Sequence, residues 1–312
     1  MSFGLQPNVE PRLTYGGYLN VEQLLQLQTL LSEPSQHDET LFVIIHQVYE
    51  LWFKQLLHEL DSIVTLLRGD AVLEAHRLLR RCIEIQRVLI NQIAVLETMT
   101  PMDFLAFRDH LLPASGFQSW QFRELEFLSG LKQPRLLRFF ETNPTATAAL
   151  EQRLAAPTLG EAFFDLLTRH QFPAPLGPEH HDQRVDALRQ LYESPEKHYG
   201  LFLLAEGLIE YDEMFALWRL RHVKMVERMI GSKPGTGGSE GVGYLKATVE
   251  ARFFPELWEV RGRLSKQTGG YGGVEPFFPG AGVVPPPGFF LQESTAPPPP
   301  PPPEGGGGGG GC

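Results

Sequence analysis

One spacing governs the chain. From Val21 to about Leu264 apolar residues recur every three or four positions, and the strict alternation of a half-buried strand never takes over. The stretch FVIIHQVYELWFKQLLHEL, residues 42–60, sets the pattern, with Phe42, His46, Tyr49, Phe53, Leu57 and Leu60 on one helical stripe. The spacing predicts an all-α fold, a single large helical domain over residues 1–265. Long helices are expected at about 40–68, 71–98 and 196–231, with shorter ones near 21–32, 101–111, 118–131, 159–170, 183–193 and 242–264. Start signals support several of these. Thr158 with Glu161 has capping-box spacing, and Thr100-Pro101 and Ser194-Pro195 each set a cap residue before a proline at the first helical position.

From Lys266 onward the composition turns to Gly and Pro, ending in APPPPPPPEGGGGGGGC. Such a segment has too little apolar surface to build a core, so residues 266–312 are expected to be a disordered tail. Its proline run favours polyproline II, a form that docks into aromatic-lined grooves, and this keeps open a reading of the chain as a helical interaction protein.

Charge and cysteine usage narrow the partners. A net charge of −10, with no clustered basic surface, argues against nucleic acid. Two cysteines, Cys82 and Cys312, provide neither a disulfide framework nor a Cys-based zinc site. The opening residues MSFGLQPNVE lack a basic cluster before an apolar stretch, and charged or amide residues interrupt every apolar run. Neither a secretory leader nor a membrane span is expected, and the cytoplasm is the expected compartment.

His46 lies on the greasiest face of its helix, either as a satisfied core histidine or as a site residue. A second histidine repeats the placement: in YDEMFALWRLRHVKMVERMIG, His222 shares a stripe with Tyr211, Phe215, Trp218, Met225 and Met229. Two inward imidazoles from separate long helices would meet in one cavity. A helical pocket of Phe, Trp and Met with one histidine is a typical setting for haem, although such a stripe is more commonly plain core. Phe104 and Arg108, four apart on one helical face, set a guanidinium beside a ring, an arrangement suited to an amino-acid carboxylate or to a surface ion pair with Asp103 or Asp109. The glycine-rich run GSKPGTGGSEGVGYL, residues 231–245, carries Thr236 as its obvious side-chain donor; it has neither the Gly-Lys-Ser/Thr ending of a phosphate loop nor a preceding strand. A two-histidine, one-carboxylate iron site from His37, Asp38 and His46 is a further possibility that no spacing singles out.

Taken together, RLTYGGYLNVEQLL, SEPSQHDETLFVIIHQVYELWFKQLLHEL, LETMTPMDFLAFRDHLLPASGFQSWQFRELEFL, LWRLRHVKMVERMIGSKPGTGGSEGVGYL and FFPELWEVR resemble, in order, the sequence blocks of the tryptophan 2,3-dioxygenase family from about Arg12 to Arg261. The resemblance implies haem b with ferrous iron as cofactor and His222 as its axial ligand. It implies L-tryptophan and dioxygen as substrates, with N-formyl-L-kynurenine as product. His46 would be the distal, catalytic histidine accepting the indole N–H. The implied substrate contacts are Phe42, Val43, Ile44, Ile45 and His46, then Phe104, Arg108 and Thr236. Tyr15 and Tyr18 would complete a neighbouring subunit's pocket in a homotetramer. Two departures stand out: Glu240 where the family has a serine, and Trp120 where it has a leucine. Either could reshape the pocket edge, so a related haem oxygenase acting on a substituted tryptophan or another indole is the alternative.

Overall fold

The computed structural model describes residues 13–233, Gly235 and 242–265. Among them there are twelve α-helices and no strand, as the apolar spacing requires. They are α1 (Tyr15–Leu19), α2 (Val21–Leu24), α3 (His37–Arg68), α4 (Val72–Leu96), α5 (Pro101–Arg108), α6 (Trp120–Ser129), α7 (Pro144–Ala155), α8 (Leu159–Arg169), α9 (His181–Glu193), α10 (Tyr199–Ile230), α11 (Val242–Val249) and α12 (Pro255–Arg263). The tail expected from Lys266 onward lies outside the described residues.

Three long helices make the frame. α4 packs against both α3 and α10. It runs antiparallel to α3: Tyr49 O–H donates to the Leu89 carbonyl at 2.7 Å, and Gln92 Nε2 to the Ile45 carbonyl at 3.1 Å. It runs parallel to α10: Arg80 and Arg87 pair with Glu210 near the middle, and Arg221 pairs with Glu97 at 2.5 Å near the C-terminal ends. Leu56, Leu60, Ile63 and Leu67 of α3, with Leu79, Cys82 and Ile83 of α4, have no solvent exposure. Gly207 allows the closest approach of α10 to α4, since a Cβ there would lie 2.9 Å from Leu79 Cδ2. α6 and α8 cover the other side of α3, α9 pairs with α12, and α11 doubles back on α10, where Lys246 Nζ sits 2.5 Å from Glu227.

The capping signals at Thr158 and Thr100 operate as expected, each side chain accepting the N–H three residues on, with Glu161 and Asp103 completing the capping boxes. Other boundaries differ. The helix expected over 21–32 stops at Leu24. Beyond it the chain is held extended against α3: Gln47 Nε2 donates to the Leu27 carbonyl at 3.0 Å, and the Glu39 carboxylate accepts the N–H groups of Leu31 at 2.7 Å and Ser32 at 3.1 Å. Side-chain bonds to the backbone thus displace the helical ladder. Ser194-Pro195 opens a turn rather than a helix. Lys197 N–H reaches the Ser194 carbonyl at 3.2 Å, and α10 begins at Tyr199 after the His198 ring has packed edge-on to Phe172 at 4.8 Å. Helix α7 had no counterpart in the periodicity, although Asn143, whose side chain accepts the Ala146 N–H, stands before Pro144 as a start signal.

The single helix expected over 242–264 is two, α11 and α12. Asp212, fully buried on α10, explains the break. Its carboxylate accepts the N–H groups of Phe253 at 3.0 Å and Phe254 at 3.2 Å, together with Trp258 Nε1–H at 2.9 Å. It caps the N-terminal end of α12, where Pro255 could not continue a helix from before. Asp212→Ala is expected to lower stability by about 2–4 kcal/mol, because it leaves three buried donors without an acceptor. A urea midpoint within error of the parent would remove Asp212 from this role.

Candidate functional site

α4 ends at Leu96, and beyond its last turns the space between α3 and α10 opens as a cavity of about 310 Å³. That is near the lower end of the roughly 300–1,000 Å³ typical of small-molecule and cofactor sites. Ile93, Leu96 and Met99 line it where α4 gives out, and rings from four helices wall it: Phe42, Tyr49 and Phe53 of α3, Phe104 of α5, Phe122 of α6 and Trp218 of α10. Into this apolar space face two imidazoles, His46 from α3 and His222 from α10.

His46 Nδ1 lies 2.7 Å from the Phe42 carbonyl, one turn earlier. A carbonyl only accepts, so Nδ1 carries the proton, and in the neutral ring Nε2 is left as an acceptor. Solvent reaches the ring through the cavity, but protein surrounds it otherwise, and that burial holds its pKa below the ordinary histidine value of 6.5. The Phe42 carbonyl and Glu50 only partly offset this. His222 is pushed down further, to about 4, by burial first and then by His46. Its ring is stacked on Trp218, with centroids 5.3 Å apart and planes 3° apart, and neither ring nitrogen finds a hydrogen-bond partner among the described residues. A neutral imidazole with its lone pair uncommitted is the state in which histidine ligates a metal.

The cavity has a distinct aromatic corner. Phe42 sits 4.1 Å from the His46 ring and 5.7 Å from Phe104, centroid to centroid. Arg108, half-buried one turn after Phe104, lines the same space, so the guanidinium and the two rings do converge. Val43, Ile44 and Ile45 do not line the cavity: consecutive helical residues fan around the axis, so Ile45 enters the core while Ile44 stays exposed. Tyr15 and Tyr18 lie on α1, exposed and absent from the cavity wall of their own chain. Thr236 and Glu240 fall outside the described residues, although the neighbouring Gly235 and, from α11, Leu245 and Thr248 line the cavity. Trp120 turns away from the cavity into a satellite core with Phe127, Leu136 and Phe140. No group of three metal-ligating side chains occurs among the described residues. His37 is instead fully exposed and bonds Asp38 at 2.5 Å, so the His37, Asp38 and His46 iron site is not assembled.

Several lining residues escaped the sequence reading. Ser115, Gly116 and Phe117 approach from a short 3-10 turn, and Glu50, held by Gln121 Nε2 at 2.8 Å, lies one turn past His46. Arg123 and Glu126, paired at 2.5 Å and both buried, stand on the cavity side of α6. Their signal was present as charges at i and i+3 within FRELEFL, at positions where the period calls for apolar residues.

A family model described as tryptophan 2,3-dioxygenase matches residues 6–179 and 179–264. A curated tryptophan 2,3-dioxygenase from a Nocardioides species is 50% identical over 270 residues, covering 85% of this chain and 98% of the relative. The tryptophan 2,3-dioxygenase of Xanthomonas euvesicatoria is 43% identical over 270 residues, covering 83% and 90%. At pH 7 the His46 ring is expected to be neutral and protonated at Nδ1, with a pKa below 6.5, as read by nitrogen-15 NMR of labelled histidine. A ring protonated at Nε2, or a cationic one, would contradict the hydrogen bond to Phe42.

Proposed function

The chain belongs to the tryptophan 2,3-dioxygenase family, and from that premise we propose how its cavity opens the indole ring of L-tryptophan. The reaction inserts both atoms of dioxygen across the indole C2–C3 bond and yields N-formyl-L-kynurenine. The observation that carries the residue assignment is the shared cavity, in which a neutral His222, without a polar partner among the described residues, faces the space that also holds His46, Phe42, Phe104 and Arg108.

The donor set suits haem b with ferrous iron. One uncharged imidazole, backed by a stacked indole and surrounded by apolar walls, is an axial-ligand setting, and no polar contact of His222 with the described residues would have to break. Haem supplies, when bound, the activation of dioxygen that closed-shell indole requires. The chain's own residues do the rest. Nε2 of His46 accepts the indole N–H and so fixes which ring edge is presented; its lowered pKa keeps that lone pair available near neutral pH and forfeits it once the ring is protonated in acid. Phe42 and Phe104 flank the indole, Arg108 pairs bidentately with the substrate carboxylate, and Thr236 is assigned to the ammonium or carboxylate end of the substrate.

Homotetramer formation, with Tyr15 and Tyr18 completing a neighbour's pocket, is supported by the N-terminal segment. Leu13, Tyr15, Tyr18, Leu25 and Leu27 are all mostly exposed, and the chief packing of α1 is against α2. No helix among the described residues is long and apolar enough to cross a membrane. L-Tryptophan is favoured over a substituted indole, because Trp120 packs into the satellite core and leaves the cavity edge as it is.

His222→Ala is expected to abolish stable haem uptake, read as loss of the Soret band on reconstitution; retention of histidine-ligated haem would place the ligand elsewhere. His46→Ala should fold and take up haem, yet oxidise L-tryptophan about tenfold or more slowly, with 1-methyltryptophan relatively less penalised than in the parent. Normal turnover with a lowered melting temperature would make His46 a core residue. Arg108→Leu should raise KM for L-tryptophan strongly, since a buried carboxylate loses a partner worth about 2–5 kcal/mol. Unchanged substrate affinity would remove Arg108 from the site.

A further inference from the structure

Apart from Arg108, the cavity wall holds a second set of cations. Arg123 of α6 and Arg219 of α10 are both buried, and they share a single carboxylate, Glu126, at 2.5 Å and 3.3 Å. All three line the cavity. Two guanidiniums share the one carboxylate that bonds them, so Glu126 alone does not satisfy both cations in this apolar wall. Arg219 is otherwise engaged, since it donates to the Ala251 carbonyl at 2.8 Å. Arg123 is not. Its Nη1 reaches Glu126, but its Nε is buried without a partner and its Nη2 makes no hydrogen bond among the described residues. The guanidinium is held in place by the rings of Phe117 at 4.5 Å and Phe122 at 5.4 Å, both of which also line the cavity. Idle donors fixed at a cavity wall form a preorganised carboxylate receptor.

Two carboxylate-bearing molecules enter this cavity on the functional reading above, and their places are separable. Arg108 belongs to the corner of Phe42 and Phe104, beside His46. Arg123 belongs to a different group of rings, where Phe122 lies 5.2 Å from Trp218, the residue stacked on His222. We propose that Arg123, backed by the Glu126–Arg219 pair, binds a propionate carboxylate of the haem and so sets the cofactor's orientation in the cavity. This rests on the haem reading. It leaves the substrate carboxylate to Arg108, and it gives the donors of Arg123 that Glu126 does not take a carboxylate partner.

The test uses haemin and its dimethyl ester, in which both propionates are capped and neutral. Each is loaded into the full-length protein, and release to excess apomyoglobin is followed in the Soret region. The parent should release the ester about tenfold faster than the free acid, as for loss of one charge-assisted contact. Arg123→Gln should bring the two rates close together, mainly by hastening release of the free acid, while Arg123→Lys keeps part of the difference. Glu126→Gln serves if the arginine variants fold poorly: with the competing carboxylate neutralised, the preference for the free acid should widen. Equal release of both forms by the parent, or a ratio that Arg123→Gln and Glu126→Gln leave untouched, would overturn the assignment. Failure of the parent to take up either form would instead overturn the haem reading itself, and this assignment with it.

Discussion

Everything at the site depends on where α4 stops. While it lasts, α4 fills the space between α3 and α10, and the seam is dry: Leu56, Leu60, Leu79 and Ile83 have no exposure at all. Because α4 runs antiparallel to one neighbour and parallel to the other, its C-terminal end lies against the early turns of α3 and the late turns of α10. Those are the turns that carry His46 and His222. A helix a few turns longer would fill the cavity; as built, Thr100 with its capping box restarts the chain as α5 and swings Phe104 and Arg108 across the opening.

The same enclosure sets the electrostatics. Taking an imidazole out of water penalises its charged form, and both cavity histidines titrate below their ordinary value for that reason first. Arginine has no neutral form to retreat into at any accessible pH, so cations in the wall must find anions instead. This divides the polar lining into two classes. The histidines are driven toward their neutral forms, whereas Arg108, Arg123 and Arg219 bring guanidiniums into the same wall. Glu126 meets part of that demand from within the chain.

How much of this was legible in sequence depends on whether a feature is periodic. The all-α class, the three long helices and the inward placing of His46 and His222 all follow from a 3.6-residue period, which survives in any one segment read alone. Phe104 and Arg108 were legible for the same reason, as an i, i+4 pair. Breaks in helices were less so, because they are decided by partners far along the chain. Nothing near residue 250 announces that Asp212, some forty positions earlier, will take the N–H groups of Phe253 and Phe254. Likewise the Ser194-Pro195 start signal is a local preference of about 1 kcal/mol, small enough for tertiary packing around His198 to override. The Arg123–Glu126 pair was visible as charge on an apolar face, but its partner Arg219 sits 93 positions away from Glu126, and without it the pair reads as an ordinary intrahelical bridge.

Phe117 shows why the cavity edge is better read as part of a larger structure than as a row of contacts. Its ring lines the cavity, meets Phe139 edge-on at 4.7 Å and lies under the Arg123 guanidinium at 4.5 Å. Phe117 also packs, with Trp120, on the satellite core of Phe127, Leu136, Phe140 and Leu150, so that small core buttresses the wall from behind. Trp120 therefore acts on the site at one remove. Its indole packs on the same small core as Phe117 and is not part of the cavity lining. The tryptophan that in sequence suggested a reshaped pocket edge thus belongs to the packing behind the wall, not to its surface.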